Sequence, residues 1–293
     1  MRLGCGHEAA GSGILTVSFA VTPTQRGNVT GDLAHQRRVS ALLSGPLLWH
    51  TVTHVTEVVS TNDLALERLR AGTPPGLVVV ADRQTGGRGR QGRTWRDGPR
   101  RDSSLMLTAV VPAPPVHPTL VPLAAGVATA DALRRAGTTP WLKWPNDVLL
   151  DGRKTAGILV EQHRVDGDEV LLIGIGINLD WRGTDRTGDA AAWTSVAEQT
   201  GADVDRGNVL ADLLRGLAAW LHSVPGDPLR LLVTYRDVCS TIGAQVRVSF
   251  PNGTSAEGRA VDLDRDGRLV VDTPERQIAV GAGDVEHVRP APE

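Results

Sequence analysis

The sequence predicts an α+β fold. A mixed β-sheet flanked by helices occupies residues 47–238, a small β module follows over residues 239–293, and residues 1–46 form a mobile extension ahead of both. Three observations carry this. Apolar residues recur at helical spacing in Leu120–Ala136 and Asn208–His222. Short β-branched runs stand between such segments, as at Leu77–Ala81. From about Ile242 the chain turns to brief strands separated by Gly-containing turns, the pattern of a small antiparallel barrel.

Taken in order, residues 1–45 hold one apolar run, Ile14–Val21, broken by Thr16 and Ser18, which is too weak for a signal peptide. They also lack the paired amphipathic helices that a DNA-reading helix-turn-helix requires. Ser60 and Thr61 are suited to cap a helix over Asn62–Arg70, with Gly72 as its stop. Leu77–Ala81 and Leu105–Val111 read as buried strands joined by a long Arg/Gly loop. The Leu120–Ala136 helix closes at Gly137. Trp141–Trp144 and Val148–Leu150 then lead through the turn Asp151-Gly152-Arg153 into Thr155–Glu161, a hairpin. Asp166-Gly167-Asp168 turns the chain into Val170–Leu179, and helices return at Asn208–His222 and Leu229–Asp237. Strands at Gln245–Phe250, Ala256–Asp262, Leu269–Asp272 and Gln277–Val280 complete the module.

Composition removes several function classes. With 293 residues, 41% apolar and 22% charged, the chain can bury one or two ordinary cores and is not disordered. No run of ~18 apolar residues occurs, so no membrane helix is expected. The net charge of −2 argues against a whole-surface nucleic-acid binder. Cys5 and Cys239 are far apart and lack metal-ligand spacing, which fits a reducing cytoplasm. His50 and His54 lie four apart with no helix around them and read as ordinary polar positions.

The basic residues are lopsided. Of 31 in all, only Lys143 and Lys154 are lysines. Arginine is a planar fork and lysine a compact point charge, so two positions that resist a general arginine bias are candidates for chemistry needing the ammonium. In Gln84-Thr85-Gly86-Gly87-Arg88-Gly89-Arg90-Gln91-Gly92-Arg93, four glycines alternate with three arginines between two strands. Glycine admits close backbone approach and arginine binds carboxylate and phosphate oxygens, so an anionic ligand is expected. The loop is not a P-loop, and Gly174-Ile175-Gly176 lacks the third glycine of a dinucleotide fold. Lys143-Trp144-Pro145-Asn146-Asp147 places a carboxylate beside a lysine, as Mg²⁺-nucleotide chemistry requires.

Together, Ser60-Thr61-Asn62, Gly87–Arg93 with Trp95, Lys143–Asp147, Lys154-Thr155-Ala156-Gly157-Ile158-Leu159 and Gly174-Ile175-Gly176-Ile177-Asn178 resemble the biotin protein ligases. The resemblance implies a class II synthetase-like catalytic domain and an SH3-like C-terminal barrel. It implies a C–N bond-forming ligase that activates biotin with Mg·ATP to biotinyl-5′-AMP and transfers it to a lysine of the biotin carboxyl carrier domain of an acyl-CoA carboxylase. By motif match, Ser60, Thr61, Asn62, Gln84, Arg88, Gly89, Arg90 and Lys154 would hold biotin. Arg88, Arg90, Arg93, Trp95, Lys143, Asn146 and Asn178 would hold ATP and the adenylate. Lys154, Arg90 and Asp147 would be catalytic, with Asp147 also taking Mg²⁺ and standing as a candidate base for the acceptor amine. The Arg/Gly loop would order when ligand binds. Some family members begin with a DNA-binding winged helix that residues 1–45 do not resemble, so a monofunctional ligase is expected, with no DNA or membrane partner and with a homodimer allowed. The alternatives are a lipoate-type ligase and a nucleic-acid-binding module built on the Arg/Gly loop.

Overall fold

The computed structural model describes residues 48–98, 100–114, 116–250, 253–281 and 284–287. The expected mobile extension over residues 1–46, Cys5, and the expectation that residues 1–45 form no winged helix therefore lie outside the described residues.

A seven-stranded sheet has the order β1-β2-β3-β7-β6-β5-β4, from β1 (Thr51–Val55), β2 (Leu77–Ala81), β3 (Ser104–Pro112), β4 (Pro140–Lys143), β5 (Asp147–Leu150), β6 (Arg153–Val165) and β7 (Asp168–Asn178). Only β1 and β2 run parallel and every other pairing is antiparallel, so the sheet is mixed as expected. β1 was not foreseen, because Thr51–Val55 alternates too weakly to announce itself and gains its place by pairing with β2. Helix α1 is Thr61–Arg70, α2 Leu120–Arg135, α3 Val196–Thr200, α4 Arg206–Ser223 and α5 Pro228–Asp237. The five-residue α3 is too short to show a period.

Strand alternation divides the core. Val78 and Val80 of β2, Leu105 and Leu107 of β3, and Ile173, Ile175 and Ile177 of β7 face α2 and α4 in the main cluster. Leu77, Val79, Val110 and Leu172 face the other way, onto Ala65 and Leu69 of α1. Because β2 is buried on both faces it reads as an unbroken apolar run rather than an alternating one.

The second sheet is antiparallel, ordered β11-β10-β9-β8-β12, with β8 Gln245–Ser249, β9 Ser255–Leu263, β10 Leu269–Asp272, β11 Gln277–Val280 and β12 Asp284–His287. β12 lay beyond the expected strands. Val246, Val248, Ala260, Leu269 and Val285 belong to the same apolar cluster as α2 and β4. The indole Nε1 of Trp144 donates to Gly267 O at 3.1 Å, and the Trp144 backbone N–H donates to Thr241 Oγ1 at 3.0 Å.

Candidate active site

On the α1 face of the sheet the aliphatic lining stops, and glycine and threonine take over. Gly157 of β6 stands directly opposite Gly176 of β7, and Gly174 stands opposite Thr108 of β3. A Cβ on Gly176 would lie 2.5 Å from the Trp95 ring, one on Gly157 3.0 Å from it, and one on Gly174 2.6 Å from Asn62 Oδ1. The Gly-Ile-Gly segment is thus a flat floor: the isoleucine fills the core while its two glycines admit an indole and a carboxamide.

Above this floor lies a cavity of about 950 Å³ lined at one end by Ser60, Thr61, Asn62 and Gln84 and at the other by Lys143, Asn146, Asp147, Lys154 and Trp193. Ser60 occupies the N-cap position of α1, but its hydroxyl makes no capping bond. Gln84 does that work instead, its Oε1 accepting from the Thr61 N–H at 2.7 Å and the Thr61 hydroxyl at 3.0 Å. This corrects the expected Ser60/Thr61 cap: the first residue of the loop terminates the helix and so couples loop to cavity wall. Asn62, 4% exposed, is gripped by Thr108 Oγ1, which donates to Oδ1 at 2.5 Å, and by Glu161 Oε2, which accepts from Nδ2 at 2.7 Å.

The Arg/Gly loop has a fold of its own. Arg88 and Thr94 form an antiparallel bridge, the Gly89 N–H donates to Arg93 O at 2.7 Å, and a 3₁₀ turn spans Arg90–Gly92. Gln91 (φ 56°) and Gly92 (φ 73°) are both left-handed there. Arg88 forks onto Asp63 at 2.6 and 2.7 Å. The Arg88 hydrogen bond holds the Asp63 carboxyl below its ordinary range. Arg90 lines the cavity and donates to Asn146 Oδ1 at 3.3 Å. Asn146 Nδ2 donates in turn to Ile158 O at 2.8 Å.

Lys154 and Asp147 meet at the centre, Nζ to Oδ1 2.6 Å. The ammonium stands 5.6 Å from the Trp95 ring centroid and 6.0 Å from that of Trp193, within cation–π reach. The two indoles stack at 5.3 Å. Trp193 is held by its strand-like bridge to Lys154, by the Thr194 N–H donating to Lys154 O at 2.8 Å, and by Arg186 Nη1 donating to Trp193 O at 2.8 Å. From the second sheet, Val285 and His287 reach the same cavity. Burial, then the Lys143 charge, lowers the His287 pKa. Beside the loop, burial raises Asp97 to about 6 against the Gln84 N–H, which donates to Oδ2 at 2.5 Å. Its Oδ1 is buried without a partner.

Thirteen expected site residues, Ser60, Thr61, Asn62, Gln84, Arg88, Gly89, Arg90, Arg93, Trp95, Lys143, Asn146, Asp147 and Lys154, line this one cavity. Asn178 stands apart: fully buried, it donates from Nδ2 to Thr194 O at 3.0 Å and supports the Trp193 segment from behind. His50 and His54 bond Pro75 O and Asp82. Sequence reasoning missed Thr108, Glu161, Trp193 and His287. Trp193 had a usable signal, since seven tryptophans against one tyrosine and two phenylalanines is unusual. Three of the seven meet here, Trp193 packing against both Trp95 and Trp181.

Comparison with known proteins decides between the readings. The Biotin/lipoate A/B protein ligase family matches residues 55–180, and the Biotin protein ligase C terminal domain matches residues 241–288. The biotin--[acetyl-CoA-carboxylase] ligase of Mycobacterium tuberculosis is 36% identical over 276 residues, covering 91% of this chain and all of that protein. The chain belongs to the biotin protein ligase family. The bifunctional ligase/repressor BirA of Bacillus subtilis is 34% identical over 251 residues, or 82% of this chain and 73% of BirA. The biotin protein ligase of Aquifex aeolicus, solved with biotin and ATP, superposes with a TM-score of 0.68 at 26% identity, covering 82% of this chain and 99% of that one. The biotin ligase fold thus accounts for both sheets, and the lipoate-type and nucleic-acid alternatives are not favoured.

Proposed function

We infer that this ligase joins biotin to ATP, forming biotinyl-5′-AMP and pyrophosphate, and then passes the biotinyl group to a lysine of the biotin carboxyl carrier domain of acetyl-CoA carboxylase. In the first step a biotin carboxylate oxygen bonds to the α-phosphorus while the bond to the pyrophosphate oxygen breaks. In the second, the acceptor amine attacks the acyl carbon, AMP leaves and the amine sheds a proton. The single observation that carries this reading is the Lys154–Asp147 pair at 2.6 Å, set between a polar pocket and an aromatic one under an arginine loop.

Two anions must meet, and Lys154 supplies a fixed positive charge where their repulsion peaks. In this reading Ser60, Thr61, Asn62 and Gln84 hold the biotin rings, and Arg88, Gly89 and Arg90 cover the valeryl carboxylate and the phosphate. Arg93, Trp95, Lys143 and Asn146 take the nucleotide, with Asn178 acting through Thr194. Loop closure keeps water from the mixed anhydride. Mg²⁺ fits as part of the nucleotide. No cluster of three metal-ligating side chains occurs among the described residues, and Mg²⁺ commonly binds through one carboxylate with the remaining ligands from phosphates and water. Asp147 would hold it, and bound there it would neutralise phosphate charge. In this reading Asp147 would also be the candidate to take the acceptor proton.

We extend the proposal to two domains meeting near residue 238 and to a cytoplasmic, monofunctional enzyme that acts as monomer or homodimer without binding DNA. No helix among the described residues is long and apolar enough to cross a membrane. The test is pyrophosphate release that depends on added biotin, followed by labelling of a carrier domain. The proposal fails if calorimetry detects neither biotin nor biotinyl-adenylate binding to the chain.

A further inference from the structure

Seven arginines and one carboxylate fall between residues 83 and 101, a net charge of +6 in a chain whose total is −2. Arg88, Arg90 and Arg93 line the active-site cavity. The other four, Arg83, Arg96, Arg100 and Arg101, line a second cavity of about 390 Å³ that shares Gln84, Thr94, Trp95 and Arg96 with the first. Met106 also lines it, two residues along β3 from Thr108 and so on the same face of the sheet. Trp95 belongs to both cavities and lies 5.6 Å from Lys154 Nζ, so one indole stands between the second cavity and the ammonium. The fold does not use up these four charges. All four side chains are exposed, and among the described residues Arg96 and Arg101 make no ion pair. Arg83 meets Glu57 only at 3.8 Å. Arg100 reaches Asp180 at 2.8 Å but shares it with Arg182, which binds both carboxylate oxygens at 2.9 Å. Like charges gathered this closely repel one another, and such a field draws in a partner of the opposite sign.

We propose that this arginine-lined cavity is a docking surface for the protein substrate, recognising an acidic segment of the carrier domain and seating its acceptor lysine beside Lys154. The inference rests on the biotin-ligase reading and deepens it by naming the chemistry of the partner. Asp82 and Asp97 stand in the same wall as the arginines. A polynucleotide backbone is a line of phosphates, which these carboxylates repel. A peptide brings carboxylates for the guanidinium forks and N–H donors for the wall, and so satisfies both signs. The four arginines lie at the rim in contact with water. They therefore act on encounter and on KM for the carrier, with a strong salt dependence, and leave the chemistry at the acyl carbon alone.

Steady-state biotin transfer from the full chain to an isolated carrier domain tests this. At ~50 mM salt the double variant Arg96→Glu, Arg101→Glu should raise KM for the carrier about tenfold, with kcat within about twofold. At ~0.5 M salt the difference in KM should shrink to about twofold, because the rim charges are then screened. Biotin-dependent pyrophosphate release without carrier, and capture of the adenylate by hydroxylamine as biotinyl hydroxamate, should both stay within about twofold of wild type. The milder pair Arg96→Gln, Arg101→Gln should show the same pattern at about threefold and carries the test if the reversed pair does not fold. A carrier KM that neither pair moves overturns the proposal, as does a loss shared equally by hydroxamate formation. Salt-dependent binding of a labelled single-stranded RNA, abolished by the reversal while the carrier KM stays fixed, overturns it in favour of nucleic acid. Wild-type protein that forms no biotinyl hydroxamate overturns the underlying functional reading instead.

Discussion

Lys154 is one of two lysines in a chain with 29 arginines, and its surroundings explain why arginine does not serve there. Nζ is 2.6 Å from Asp147, and a Cβ on Gly157 would already lie 3.3 Å from Nζ. A planar fork carries the charge too far out and too broadly for that space. Lys154→Arg should keep the fold, leaving the melting temperature nearly unchanged, and should lower biotin-dependent pyrophosphate release by about 10²–10³, the usual cost of one electrostatic group in such a site. Asp97 makes a pH prediction. Burial lifts it from 3.8 to about 6 in the folded chain. The folded state therefore holds this proton more tightly than the unfolded one, and stability declines as pH rises through the window between those values. Asp97→Asn should flatten that slope and raise stability at pH 7 by about 1 kcal/mol after allowing for partial exposure, or ~2–4 °C. Thermal melts from pH 4 to 8 should show the two proteins converging at the acid end.

Among the elements, β7 carries the clearest division of labour, because its glycines place two different side chains on one floor. Gly174→Ala pushes on Asn62 Oδ1 from 2.6 Å, and Gly176→Ala pushes on the Trp95 indole from 2.5 Å. Each should cost about 1–3 kcal/mol from overpacking. Their kinetic signatures should separate: Gly174→Ala raises KM for biotin and Gly176→Ala raises KM for ATP, and identical effects on both constants would dispose of the two-ended cavity. The strands themselves were legible, since Leu77–Ala81, Leu105–Val111 and the Asp151-Gly152-Arg153 hairpin announce themselves by β-branching and turn chemistry. So was the gathering of the loop arginines and both lysines, which line one cavity. Thr108 and Glu161 were not legible, because each sits at an ordinary strand position and acquires its role only when β3, β6 and α1 are brought together. Trp193 lies in a stretch with no period, and long-range contacts, the Lys154 bridge and the Arg186 hydrogen bond, give it its place.

Over the whole molecule, the Lys143–Asp147 segment is fastened to the second sheet rather than merely near it. Trp144, flanked by Lys143 and Asn146-Asp147 in the motif, is 2% exposed and gives its indole proton to Gly267 O in the turn between β9 and β10, more than 120 residues away in sequence. Gly267 adopts φ +77°, and a Cβ there would come within 2.8 Å of Leu123 and 3.1 Å of Leu120 on α2. Gly267→Ala thus combines left-handed strain with a clash, and the turn must back away from α2 and from Trp144. Gly167, in the turn between β6 and β7, has φ +93° with nothing within 4 Å of a built Cβ, so Gly167→Ala carries the backbone strain alone. Calorimetry should place both variants about 1 kcal/mol or more below wild type, with Gly267→Ala the lower. Adenylation should separate them further, because only Gly267→Ala loosens the seating of Lys143 and Asp147 against the cavity. Equal specific activity of the two at a temperature where both are folded would mean that the second sheet supports the active site by bulk alone.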